Sequence, residues 1–265
     1  MTTTQDAIAH AKAQTNAAVA IGESRGWERP ADFARLTTLG AAAKAAIRDA
    51  DPVPVPLPTT AAQVDDWLDQ TAAARVHAAA RRSAAEELAL DADRQVARLG
   101  QHIAAEYVPK LVEEFATELK AYAALANAPR TITGHETAKD LTAHATLLRC
   151  AADLASTLNA RATLALITGE ADDFGQDAVW LALAVKPSAG LDAVTQAVAT
   201  FHQGTPSTVA DWDSLAPLGL TLAQHGGART RIERHAAANF TRGTTTPDGG
   251  LVERSYGEVE AGALR

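Results

Sequence analysis

The chain is 265 residues long, 47% hydrophobic but only 5% aromatic, with a formal charge of −8 and one cysteine, Cys150. That length can bury one large core or two modest ones, and a single thiol excludes an intramolecular disulfide and any cysteine-based zinc site. The longest apolar run, Ala178 to Val185, falls far short of the ~20 residues of a membrane span, and no basic-then-apolar leader opens the chain, so a soluble protein of the reducing cytoplasm, or of a particle assembled there, is expected.

Alanine supplies much of the apolar share, which makes an all-α fold the natural class. The first helix is expected from about Gln5 to Ile21, with Gly22 as its C-cap. The next starts with Pro30 at its first position and shares Phe33, Leu36, Ala43 and Ile47 on one face through Ala50. Residues 1–51 thus form an N-terminal helical pair. Proline at every second position from Pro52 to Pro58 keeps residues 52–59 extended, a stiff connector of roughly 20 Å at about 3.1 Å per residue. Prolines two apart do not match the three-residue period of a PxxP ligand.

Residues 60–168 are read as the core, a long helix and its return. Thr60 with Gln63 makes a capping box, Asp65, Asp66 and Asp69 sit where negative charge offsets the helix dipole, and helix-forming composition continues to about Asn127. Val96, Leu99, Ile103, Tyr107, Leu111, Phe115, Leu119, Tyr122 and Leu125 recur every three or four positions as one buried stripe. Its spacing averages near 3.6, which favours a globular bundle over a supercoiled dimer. Between Ala72 and Ala92 the inward positions are read as Ala72, Ala79, Ala80 and Ala84 with Val76 and Leu88, a face that must pack closely on a neighbour or stay partly exposed. Pro109 predicts a kink, and Asp91 is a weaker candidate for capping a second helix.

A loop through Pro129 leads to a second capping box, Thr133 with Glu136, which opens an antiparallel partner helix from Glu136 to about Ile167. Leu141, Leu147, Leu148, Cys150, Leu154, Leu158, Leu164 and Leu166 do not share one face, and Thr142, Thr146, Arg149, Asp153, Ser156 and Thr163 form one narrow polar stripe. A helix with so little polar surface belongs at the centre of a bundle or under a partner subunit. Residues 169–242 read as a less regular helical region. Asp177–Lys186 fits a buried helix or a buried strand, Leu191 to Phe201 a short helix, and Ser207 a cap for another towards Leu215. Gly226 and Gly227 precede a basic helix, and residues 243–265 read as an irregular tail. The whole is an elongated bundle built on one long, kinked helix.

Charge is unevenly spread: residues 1–130 carry 14 basic and 17 acidic groups, 131–225 carry 4 and 10, and 226–265 carry 6 and 5. The basic groups concentrate at Arg229, Arg231, Arg234, His235 and Arg242. These arginines are expected to pair with Asp172, Asp173, Asp177, Asp211 and Asp213, locking the C-terminal region onto the bundle; nucleic acid or another polyanion is the less favoured partner.

Catalytic and cofactor motifs are lacking. Asp173-Phe174-Gly175 spells a kinase triplet without any of the accompanying kinase motifs, no phosphate-binding or dinucleotide fingerprint occurs, and Cys150 among leucines reads as an inert core thiol. His102 with Glu106, and Asp140 with His144, are weak metal candidates at i, i+4 spacing. Carboxylate-bridged helical sites need Glu-x-x-His and further carboxylates, so neither a metal nor a cofactor is expected. Contact is the expected work: a non-enzymatic structural or assembly component, such as a scaffold, adaptor or virion-type part, self-associating through Ala72, Ala80 and Ala84 as a homo-oligomer or larger assembly. The two alternatives are a polyanion-binding regulatory module using residues 228–242, and an enzyme or small-ligand protein whose site is assembled from dispersed residues.

Overall fold

The protein is all-α. The computed structural model describes residues 4–170, 184–185, 197, 206–227, 230–231, 244–245 and 251–252. Its helices are α1 (Thr4–Ser24), α2 (Ala31–Arg48), α3 (Val64–Ala124), α4 (Ala138–Ile167) and α5 (Val209–Leu215). Thr244–Thr245 and Leu251–Val252, in the segment read as irregular tail, form a two-residue antiparallel ladder. Packing divides the chain into two compact units, Met1–Ile103 and Ala104–Arg265. The boundary falls within α3.

In the first unit, α1 runs through Gly22, which is buried, instead of stopping there. The left-handed residue is Gly26 (φ +72°), where Trp27 N–H donates to Gly22 O (2.9 Å) and Gly26 N–H to Glu23 O (3.0 Å). That is the Schellman pattern. It needs a glycine at the left-handed position, which Gly22, four residues earlier, does not occupy. Pro30 lies just outside α2 as its N-cap, one residue earlier than expected.

Before α3, Thr60 precedes a single 3-10 turn, Ala61–Gln63. Gln63 Oε1 accepts from the backbone N–H groups of Thr59 (3.0 Å) and Thr60 (3.2 Å). The helix then runs 61 residues through both Asp91 and Pro109 without a break. Asp91 accepts from Gln95 Nε2 (2.6 Å) in an i, i+4 pair and caps nothing. The extended connector is pinned where Trp67 Nε1 donates to Val55 O (3.3 Å).

The alanine face of α3 is phased differently from the sequence reading. Ala78, Ala85 and Ala92, with Ala89, Val96 and Ile103, are buried, whereas Ala72, Ala79, Ala80, Ala84, Val76 and Leu88 are exposed. α2 selects the face: a Cβ placed on Gly40 would lie 3.6 Å from Ala92 Cβ, so the two backbones approach closely there. Lys12 from α1 and Lys44 from α2 both pair with Asp93, the residue next to Ala92 at that contact, and hold the carboxyl below its usual range despite its partial burial.

In the second unit, α3 contributes Ala104, Tyr107, Val108, Leu111, Phe115 and Tyr122 to the core, and α4 contributes Leu147, Ala151, Leu154, Leu158, Leu164 and Ala165. Thr157 on α4 donates to Glu118 on α3 (3.0 Å). The Phe115 and Trp212 rings meet at 6.3 Å and 59°, a tilted arrangement favourable for aromatic pairs.

Two helix starts move by one or two residues. α4 begins at Ala138, not Glu136, with Thr137 as cap and Asp140 as its reciprocal partner. Thr133 and Glu136 do bond, Thr133 Oγ1 to Glu136 Oε1 at 2.7 Å, but they close a loop turn in which Gly134 (φ +93°) interrupts helical geometry. α5 is capped by Thr208 with Asp211, not by Ser207, whose N–H also donates to Asp211 (3.0 Å). α4 ends on a second Schellman turn: Gly169 is left-handed (φ +69°) and Glu170 N–H donates to Ala165 O (2.9 Å).

Most of Asp177–Lys186 and of Leu191–Phe201 lies outside the described residues. Of them, Ala184 and Ala197 are helical, Val185 follows Ala184 in a bend, and all three are buried.

Candidate functional site

A dense polar cluster forms among the described residues of the second unit where α4 ends. Arg161 is the one charged residue of α4 carried fully into the core, at 0% exposure, because it stands on the face that also holds Leu154, Leu158 and Leu164. The Schellman turn at Gly169 folds Glu170 back beneath it, so that Arg161 Nη2 donates to Glu170 Oε2 at 2.8 Å. Arg161 Nε donates to Ala223 O (2.8 Å) and Nη2 also to Gln224 O (3.1 Å), fastening the segment after α5. Nη1 is buried with no acceptor, as is Trp212 Nε1; a donor left so costs about 1–3 kcal/mol.

Glu170 has its oxygens taken from several directions. Thr168 Oγ1 donates to Oε1 (2.9 Å), and His225 Nδ1 lies 3.3 Å from the same oxygen. Burial pushes the carboxyl up, but the Arg161 guanidinium, the Thr168 hydroxyl and the Gly226 N–H outweigh it and hold the group below its usual range. Burial draws Arg161 below the ordinary arginine value, partly countered by Glu170. Arg231 joins from the other side: Nη1 donates to Thr221 O (2.6 Å) and Val185 O (3.2 Å), and Nη2 to Thr221 Oγ1 (3.2 Å). Its own burial, and then the charge of Arg161, push it down to about 10. Both guanidiniums therefore grip the carbonyls of one short segment, residues 221–224.

A second cluster holds α5. Arg130 donates through Nε and Nη2 to the two oxygens of Asp213 (2.8 and 2.9 Å), the forked geometry that makes arginine–carboxylate pairs strong. Nη1 meanwhile donates to Leu125 O and Ala128 O, both at 2.9 Å. Tyr122 Oη donates to Asp213 (2.8 Å) and sits 2.9 Å from Val209 O. Burial and then Asp213 push this phenol well above the ordinary tyrosine value.

Chemically, both clusters bind the chain to itself. Glu170 and Asp213 are held ionised by fixed donors, the opposite of a carboxyl tuned to exchange protons near neutral pH. Burial raises the Cys150 thiol, which disfavours the nucleophilic thiolate.

The residues singled out from sequence fall in separate places. His102 and Glu106 are exposed, and Glu106 pairs with Lys110 (3.2 Å). Asp140 is committed to the α4 cap, and His144 Nδ1 lies 2.8 Å from Pro129 O. Among the described residues no group of three His, Cys, Asp or Glu side chains is placed to hold a metal ion. Ala72, Ala80 and Ala84 are exposed on α3. Asp211 caps α5 and Asp213 serves Arg130 and Tyr122, while Arg229, Arg234, Arg242, Asp172, Asp173 and Asp177 lie outside the described residues, as does the Asp173-Phe174-Gly175 triplet. Arg161, Glu170, His225 and Trp212 were not anticipated. The available signal was Arg161 itself, a lone charge in the apolar stretch from Leu154 to Ile167. No helix among the described residues is long and apolar enough to cross a membrane. No family model, curated protein or solved structure matches this chain.

Proposed function

We propose that this is a non-enzymatic helical protein whose work is contact, a structural or assembly component that associates through exposed apolar helix faces. One observation carries the reading. At every fourth position from Val64 to Leu88, α3 presents an uncharged side chain to solvent: Val64, Leu68, Ala72, Val76, Ala80, Ala84 and Leu88. Val76 is 70% exposed and Leu68 52%. Residues four apart form the ridge by which helices most commonly interlock in globular proteins, and small residues along it let a second backbone come close. On a chain that carries Asp, Glu, Lys or Arg at 21% of positions, an uncharged ridge of this length is surface suited to a partner.

The test is direct. Ala80→Glu with Ala84→Glu places two charges in the middle of the ridge at positions already open to solvent. Sedimentation velocity of the wild-type chain should show concentration-dependent association, and the double variant should associate more weakly with unchanged helix content. A wild type that is monomeric at every concentration rejects the self-assembly reading.

A further inference from the structure

We propose that α4 is a second interface, and that its occupant is the α4 helix of another copy of this chain, running antiparallel about a two-fold axis near Ala152. The inference rests on the contact reading above but uses a different surface. Leu141, Leu148 and Leu166 are 46%, 50% and 53% exposed, large apolar groups on a helix whose other leucines are buried. They belong to a regular row. Leu141, Leu148, Ala155 and Ala162 stand seven apart, and so do Ala145, Ala152, Asn159 and Leu166, offset from the first set by four. An alternating spacing of four and three is the seam of a two-helix coiled coil. Asn159 is its one polar member.

The charges along this helix name the partner. From Leu141 to Ile167 the only charged residues are Arg149, Asp153 and Arg161, and Arg161 is buried. Arg149 and Asp153 are both exposed, and although they are four apart, no salt bridge joins them among the described residues. Arginine preceding the acid is the less favourable order for such a pair. They lie on the same flank of the seam, and in an antiparallel pair equal flanks face each other. Reversing a second copy about the point between Ala151 and Ala152 therefore brings Arg149 to within one residue, about 1.5 Å along the axis, of the level of Asp153 of the second copy, and Asp153 likewise of its Arg149. The same operation sets Leu148 over the recessed Ala155, 8% exposed, and Leu141 over the half-buried Ala162, large groups against small ones. It also overlaps the whole helix, since Ala152 lies at the middle of Ala138–Ile167. A parallel pairing would turn this flank towards the opposite one, leaving Arg149 and Asp153 apart from their counterparts, and would set leucine against leucine.

The experiment uses the full chain in sedimentation velocity across a concentration range. The wild type should dimerise. Arg149→Asp and Asp153→Arg each turn two attractions into two like-charge contacts, and each should raise the dimer dissociation constant by about tenfold or more. The double variant, Arg149→Asp with Asp153→Arg, restores complementarity and should return to within a few fold of the wild type. An equimolar mixture of the two single variants should form a heterodimer tighter than either homodimer. Both positions are solvent-exposed, so circular dichroism should show the same helix content throughout. Oligomers indifferent to these exchanges but abolished by Ala80→Glu with Ala84→Glu would overturn the α4 pairing and leave the contact reading intact. A wild type monomeric throughout, whatever other protein it binds, overturns both this pairing and self-assembly.

Discussion

Arg161 and Glu170 show how a helical core can accept a full charge. The guanidinium leaves water entirely, and two carbonyls and one carboxylate replace the hydration on Nε and Nη2. Breaking a buried pair by removing one member is costlier than replacing both, because the survivor keeps its charge without a partner. Arg161→Met should therefore lower unfolding stability by about 3–5 kcal/mol, and Arg161→Met with Glu170→Gln should recover a substantial part of that loss, a coupling measurable in a double-mutant cycle by urea unfolding. The pH dependence has a definite sign. The folded-state value of Glu170 lies below the ordinary carboxylate value, so its contribution is complete above the ordinary value and drains away as pH falls through the folded one. Urea midpoints across that window should fall in the wild type more steeply than in the double variant.

At the scale of the element, the helix ends separate motif from function. Two threonines, four residues apart, each stand three before an acid at the entry to α4. Only Thr137 with Asp140 is followed at once by helical backbone; Thr133 with Glu136 is followed by left-handed Gly134. Donors from Thr133 hold Glu136 down to about 2, so the loop turn is itself well formed. Thr137→Ala should cost about 1 kcal/mol through the unsatisfied first turn, read as a lower thermal midpoint. Thr133→Ala should leave helix content unchanged and cost less, since no helix donors depend on it.

At the scale of the molecule, what matters is which apolar surface the chain has left over. Ala78, Ala85, Ala89 and Ala92 are buried in the first unit, while the ridge from Val64 to Leu88 is open to solvent. Stability and association should therefore separate. Leu68→Ser with Val76→Ser should change unfolding free energy by roughly 0.5 kcal/mol or less per site while weakening self-association. Ala92→Leu should instead cost about 1–3 kcal/mol by overpacking, since Ala92 faces Gly40. Urea unfolding beside sedimentation distinguishes the two classes.

The helical class, the long helix, its return and most of the stripe from Val96 to Tyr122, in which only Leu99 and Leu119 stay half-buried, were legible in the sequence, because large apolar residues at helical spacing have one stable arrangement, pointing inward. The phase of the alanine segment was not. Alanine occurs on every side of α3 between Ala72 and Ala92, so its own pattern leaves the inward face undecided. The neighbours decided it, through the close approach at Gly40 and the two lysines that converge on Asp93. Likewise nothing in the local pattern distinguishes Thr133 from Thr137 as a cap until Gly134 takes a left-handed conformation. The Arg161 cluster joins residues up to 70 positions apart, from Arg161 to Arg231. Only tertiary folding brings Glu170 and the carbonyls of residues 221–224 close enough for an arginine in an apolar helix to be a satisfied core residue and not a surface one.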